Sequence, residues 1–161
     1  MKFPKYFLSS IVLFFLLTFL SAQKAEAASL FLTPANGRYI VGQTFTIKIQ
    51  ITSDTAFNSA EASLVFPEDK LTALSVSELD SIFELWPQKT IIAGNTISFR
   101  GGLTGGFSGI GHIVAITFKA KSPGVAELNF SSGARILAHD GIGTNIITGK
   151  DGAVLTIQSA S

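Results

Sequence analysis

The sequence predicts an all-β fold, a nine-stranded antiparallel β-sandwich, and two observations carry that expectation. The first is the run Thr44-Phe45-Thr46-Ile47-Lys48-Ile49-Gln50-Ile51-Thr52. Phe45, Ile47, Ile49 and Ile51 fall on one side of it and Thr44, Thr46, Lys48, Gln50 and Thr52 on the other. Successive strand side chains point to opposite faces, so this alternation marks a strand with one buried and one wet face. The second is recurrence: similar short runs follow one another down the chain, separated by turn residues. Many short strands with such punctuation read as two packed antiparallel sheets.

The chain opens with a segment outside that pattern. Lys2 and Lys5 give a short basic start, residues 6–20 are apolar, and Ala25-Glu26-Ala27 ends a small, polar stretch. That order reads as a secretory signal peptide over 1–27, cut after Ala27. An uncleaved anchor is the rival reading, but an apolar run of roughly 15 residues is short for a span needing about 20. The mature domain is then 28–161, about 134 residues, enough to bury one core. It contains no cysteine, which excludes disulfides, thiol chemistry and thiolate metal sites. Formal charge is +1 for the whole chain, and losing three lysines and one glutamate with the leader leaves about −1. Nothing here is basic enough for nucleic acid. No second apolar span follows the first, so no membrane span is expected in the mature chain.

Strands are expected at 29–33, 44–53, 59–66, 71–77, 96–100, 112–120, 125–131, 134–138 and 153–158. Most alternate: Ala62, Leu64 and Phe66 share a face, as do Ile97 and Phe99, then Val114, Ile116 and Phe118, then Leu128 and Phe130, then Leu155 and Ile157. Turns fall at Pro34-Ala35-Asn36-Gly37, Pro67-Glu68-Asp69, Gly94-Asn95, Ser122-Pro123-Gly124 and Asp140-Gly141. Gly and Asn supply positive φ there and Pro pre-sets one turn angle. Residues 78–85 are assigned one short helix. The predicted core is Phe45, Ile47, Ile49, Leu64, Phe66, Phe99, Ile116, Phe118, Leu128 and Phe130.

Several of these segments, in order, resemble the cohesin domain, the dockerin-binding module of cellulosome scaffoldins. They are Val41-Gly42-Gln43-Thr44-Phe45-Thr46-Ile47, the passage from Ala60 to Leu71, Ile97-Ser98-Phe99-Arg100-Gly101-Gly102, the run from Gly111 to Lys121, and Asp140-Gly141-Ile142-Gly143-Thr144-Asn145. Phe66-Pro67-Glu68 departs from the Tyr-Asp-Pro more usual in that family. The resemblance spans 29–159 and implies a nine-stranded jelly-roll sandwich. It also implies a dockerin-binding sheet face made by the third, fifth, sixth and eighth strands. Carried onto this sequence, that face consists of Glu61, Ser63 and Val65, then Thr96, Ser98 and Arg100, with Glu127 and Asn129. Cohesin-like domains also occur singly in exported proteins, so fold alone does not settle function.

Other residues invite chemical readings, each weaker than a structural one. The glycine-rich stretch 101–111 lacks the Lys-Ser/Thr of a phosphate-binding loop and reads as a flexible inter-strand loop. His112 and His139 have no nucleophile or acid in an evident constellation and read as polar strand-end residues. Glu68 with Asp69, and Glu78 with Asp80 and Glu84, are carboxylates beside turns rather than a spaced glycosidase pair. Asp140, Asn145 and Asp151 offer oxygen ligands for calcium, but their spacing is not an EF-hand loop and suits turns equally. No metal and no cofactor is therefore assigned. Tyr39, Phe57, Phe83, Trp86 and Phe107 could stack on sugars, while Trp86-Pro87 reads better as a plug closing one edge of the sandwich.

The expectation is thus a secreted, non-enzymatic binding module, extracellular or at the cell surface, in an assembly linked to polysaccharide degradation. Its expected partner is a dockerin-like module or another surface protein. The alternative is a carbohydrate-binding module on the same fold. A flat face of small polar residues and a few aliphatics suits a protein, whereas a row of coplanar rings suits a polysaccharide.

Overall fold

A computed structural model describes residues 27–160, so residues 1–26 of the leader expected over 1–27 lie outside the described residues. Ten strands run in order: β1 (Ala28–Thr33), β2 (Asn36–Ile40), β3 (Thr44–Val65), β4 (Leu71–Ser77), β5 (Leu85–Ala93), β6 (Thr96–Ala120), β7 (Gly124–Phe130), β8 (Arg135–Ala138), β9 (Ile147–Asp151) and β10 (Ala153–Gln158). One hydrogen-bonded ladder links them all, and it folds over on itself into the two layers of a sandwich. The hinges are β3 and β6, which pair antiparallel from Thr44↔Lys119 to Val65↔Thr96 and so pass through both layers.

The first half of β3 and the second half of β6 form the centre of the back layer, with β4 beside β6 and β1 then β9 beside β3. The remaining halves form the centre of the front layer. There β5 lies beside β6, both β7 and β8 lie beside β3, and β10 and β2 continue outward from β7. Inward residues show where each long strand turns. On β3 they are Phe45, Ile47, Ile49 and Ile51, then Ala60, Ala62 and Leu64. The change of phase coincides with register shifts between Ser53 and Ser59, since one extra residue in a ladder turns every following side chain over. β6 does the same at Ile113 and Val114, which are consecutive and both buried.

Nine of the ten predicted core residues are buried, and Phe130, at the end of β7, is half-buried against the same cluster. The all-β sandwich stands, and several local assignments change. Residues 78–84 form turns and bends rather than a helix, and Leu85 already begins β5. The glycine-rich stretch 101–111 is not a loop but continuous strand within β6. Its glycines make room for neighbours: a Cβ at Gly101 would strike the Phe83 ring, and one at Gly111 would lie 2.6 Å from Ile82 Cδ1. Ile82 N–H donates to the His112 carbonyl at 2.9 Å and Glu84 N–H to the Gly102 carbonyl at 2.9 Å. Residues 78–84 are therefore a strap laid across β6 and notched into two glycines. Three strands, β2, β5 and β9, were not expected. Two pairings, β1 with β9 and β10 with β2, are parallel within an otherwise antiparallel sandwich. No helix of the described residues is long and apolar enough to cross a membrane.

Candidate partner-binding face

Ladder register places the predicted face residues. Glu61, Ser63 and Val65 of β3 stand opposite Arg100, Ser98 and Thr96 of β6. Val65 also stands opposite Asn129 of β7, and Glu127 lies two residues away on the same side of that strand. Directly opposed residues share a sheet face, so all eight form one outward surface on the front layer. Inward from them lie Ala62, Leu64, Ile97 and Phe99, which are buried.

Polar groups at the centre of this surface are fixed to one another. Ser63 Oγ and Ser98 Oγ are 2.8 Å apart. Arg100 Nε donates to Glu61 Oε2 at 2.6 Å, and Arg135 Nε lies 3.8 Å from Glu61 Oε1. Glu61 thus sits between two guanidiniums. The Arg100 side chain remains 57% exposed, with donors still directed to solvent. An exposed pair of this kind contributes about 0–1 kcal/mol to folding, so the arrangement orients Arg100 more than it holds the fold.

The register adds five residues that the sequence did not assign to this face. Gln88, Ile91 and Ala93 of β5 stand opposite Arg100, Ser98 and Thr96, and Leu85 opposite Gly102. Arg135 of β8 stands opposite Glu61. Leu85 and Ile91 are 50% and 48% exposed, so an aliphatic border flanks the polar centre. A depression of about 270 Å³ is lined by Glu61, Ser63, Gln88, Ser98, Arg100 and Ser131. A second, of about 450 Å³, brings Val65, Val125, Glu127 and Asn129 together.

None of the five candidate stacking rings lies on this face. Phe57 and Phe83 are buried. Trp86 packs edge-on against Phe83 at 5.8 Å, and Phe107 edge-on against Phe57 at 5.7 Å. Tyr39 stacks on Phe45 at 3.7 Å.

Several of the other candidate groups are engaged in local structure. Glu78 Oε1 accepts the Thr90 N–H at 2.7 Å, Glu84 Oε2 accepts from Thr104 Oγ1 at 3.2 Å, and Asp69 pairs with Lys70 at 3.2 Å. Asp140 accepts from the N–H groups of Ile142 and Gly143 at 3.0 and 2.7 Å and from the Thr144 hydroxyl. Those donors, the Thr144 hydroxyl first, hold its carboxyl down at about 2. Asn145 Oδ1 accepts from Ile136 N–H at 3.2 Å and Ile147 N–H at 3.3 Å. Both oxygens bind turns. His139 Nδ1 lies 3.2 Å from Asn58 Nδ2. Burial, aided by the Lys48 ammonium, pulls the His112 imidazole below its ordinary value. Among the described residues neither imidazole hydrogen-bonds a serine or threonine hydroxyl.

No family model matches the chain, and no curated protein matches it either. Solved structures do. A type I cohesin in complex with its dockerin from Clostridium thermocellum superposes with a TM-score of 0.69 at 14% identity, covering 83% of this chain and 95% of that one. A non-cellulosomal cohesin from the archaeon Archaeoglobus fulgidus gives 0.65 at 18% identity over 83% and 92%. The cohesin module of a family 33 glycoside hydrolase from Clostridium perfringens gives 0.64 at 14% over 84% and 98%. The likeness establishes the fold: this chain is a cohesin-like jelly-roll sandwich.

Proposed function

We propose that this protein is a secreted, non-catalytic binding module whose front face takes a dockerin-like protein module at the cell surface or beyond it. One observation carries the reading. The outward face of β5, β6, β3, β7 and β8 carries none of the candidate stacking rings, is polar at its centre and aliphatic at its border. A protein interface wants that composition, with an apolar contact area, a pre-oriented arginine and few charges left unpaired. A polysaccharide wants exposed flat rings, and the five candidates here are turned into the core or against one another. The dockerin complex of the Clostridium thermocellum relative supplies the class of partner.

Paired substitutions test the reading. Val65→Asp with Arg100→Ala should leave the denaturation curve within about 1 kcal/mol of the parent, because both side chains are outward. Affinity for a dockerin panel, measured by calorimetry, should fall at least ~30-fold, about 2 kcal/mol, as for loss of a hot spot. Equal affinity of both proteins, or binding only to insoluble polysaccharide, refutes the reading.

A further inference from the structure

One row of polar side chains crosses the front layer. Gln88 of β5, Arg100 of β6, Glu61 of β3 and Arg135 of β8 stand directly opposite one another in turn. Arg100 and Arg135 are thus two strand spacings apart, about 10 Å between backbones, with the single carboxylate of Glu61 between them. Each guanidinium meets that carboxylate through Nε alone, Arg100 at 2.6 Å on one oxygen and Arg135 at 3.8 Å on the other. Among the described residues, the Nη groups of both have no hydrogen-bond or ion-pair partner. The two side chains are 57% and 62% exposed. Two residues back along β3, Ser59 stands between Gly102 and Leu137. Gly102 offers no side chain and Ser59 a short one, so a depression of about 350 Å³ opens beside the row, lined by Ser59, Glu61, Arg100, Arg135 and Leu137.

We propose that this row docks one acidic side chain of the partner, a glutamate, whose carboxylate takes the free Nη groups of Arg100 and Arg135 while its methylenes lie in the depression against Leu137. The inference rests on reading the front layer as the partner-binding face and adds the chemistry the partner must bring to it. Charge decides that chemistry. Two guanidiniums and one carboxylate leave one net positive charge on the row, and in the free protein water screens it at little cost. A partner that covers the row removes that water, and a buried charge without a counter-charge is costly. An uncharged or basic side chain is therefore rejected. A single carboxylate restores neutrality, whereas a phosphoryl group, with roughly two negative charges, would overshoot it. Guanidinium forks pair with carboxylates through parallel N–H donors. Glu61 holds both forks near that geometry before the partner arrives, which lowers the ordering cost of binding.

A peptide titration tests the site apart from any whole partner. The probe is a capped five-residue peptide, alanine with a central glutamate, and its twin has a central glutamine. Added to the isotope-labelled protein at low salt, the glutamate peptide should shift the Nε–Hε signals of Arg100 and Arg135 and the backbone amides of Ser59 and Gly102, saturating in the millimolar range. The glutamine peptide should bind at least ~10-fold more weakly. The glutamate peptide should lose affinity equally for the variant carrying Arg100→Gln and Arg135→Gln, whose changes are outward and leave the fold intact. Equal affinity for the two peptides, or glutamate-dependent shifts that avoid these four residues, overturns the inference. Galacturonate oligomers that bind at least ~10-fold tighter per carboxylate than the peptide overturn it in favour of an acidic polysaccharide. A dockerin panel separates this inference from the reading beneath it. A dockerin that binds the parent and the paired Arg→Gln variant equally refutes the acidic contact and leaves the face reading standing. Glutamate-selective peptide binding with no dockerin bound refutes the dockerin reading and leaves the acidic contact standing.

Discussion

At the scale of single residues, the position of each side chain across a strand decides its role. Arg100 and Phe99 are neighbours in sequence, yet one reaches solvent with its guanidinium tied to Glu61 and the other is buried. Period-2 alternation made that division legible without a structure, while the resemblance to the cohesin domain is what grouped Glu61, Ser63, Val65, Thr96, Ser98 and Arg100 on one face. Arg135 was not legible, because only the pairing of β8 with β3 brings it to Glu61. His112 is the residue whose surroundings say most about pH. Its Nδ1 is buried without a partner, and its pKa is lowered by burial first and by Lys48 second, against an opposing pull from Asp80. The folded state then binds its proton less readily than the unfolded chain does. Stability contributed in this way is complete above the unfolded value near 6.5 and is lost as pH falls through and below it. Chemical denaturation between about pH 7.5 and 5 should show a declining midpoint that flattens in His112→Gln.

At the scale of elements, the strap and the two glycines it rests on distinguish this sandwich from a plain stack of hairpins. The glycine-rich stretch 101–111, expected as a flexible inter-strand loop, is strand even though glycine weakens an isolated strand. Here the absent side chains admit Phe83 and Ile82, and the strand persists by pairing with β3 and β5. β5 escaped notice for a related reason. Leu85-Trp86-Pro87-Gln88-Lys89-Thr90-Ile91-Ile92-Ala93 does not alternate, and its register shifts at two places. Pro and Lys are common on an edge strand, where they discourage pairing with other chains. Residues 78–85 carry the spacing of a short helix, but Ile82, Phe83 and Glu84 are drawn instead onto β6. Gly101→Ala should destabilise the domain by about 1–3 kcal/mol through overpacking against Phe83. Gly111→Ala should cost less, since it meets the flexible end of Ile82. Urea denaturation of the two variants checks both the size and the order.

At the scale of the whole molecule, one core serves both layers, and Phe118 lies near its middle, fully buried against Phe45 and Phe66. Phe118→Ala should lower stability by about 3–5 kcal/mol, measured as a shifted unfolding midpoint with little change in slope. The sandwich was legible because hydrophobic alternation reports burial directly. The parallel placement of β9 beside β1 and of β2 beside β10 was not, since neither pairing leaves a local signal and both depend on where the chain returns after long excursions. That topology leaves two broad outward surfaces, and the proposed binding uses the front one. Mapping backbone amide shifts of the isotope-labelled protein on addition of a bound dockerin module tests this most directly. Perturbations should concentrate at Glu61, Ser63, Val65, Ser98, Arg100, Gln88 and Ile91. Perturbations centred instead on the back-layer residues Thr46, Lys48 and Thr117 would contradict it.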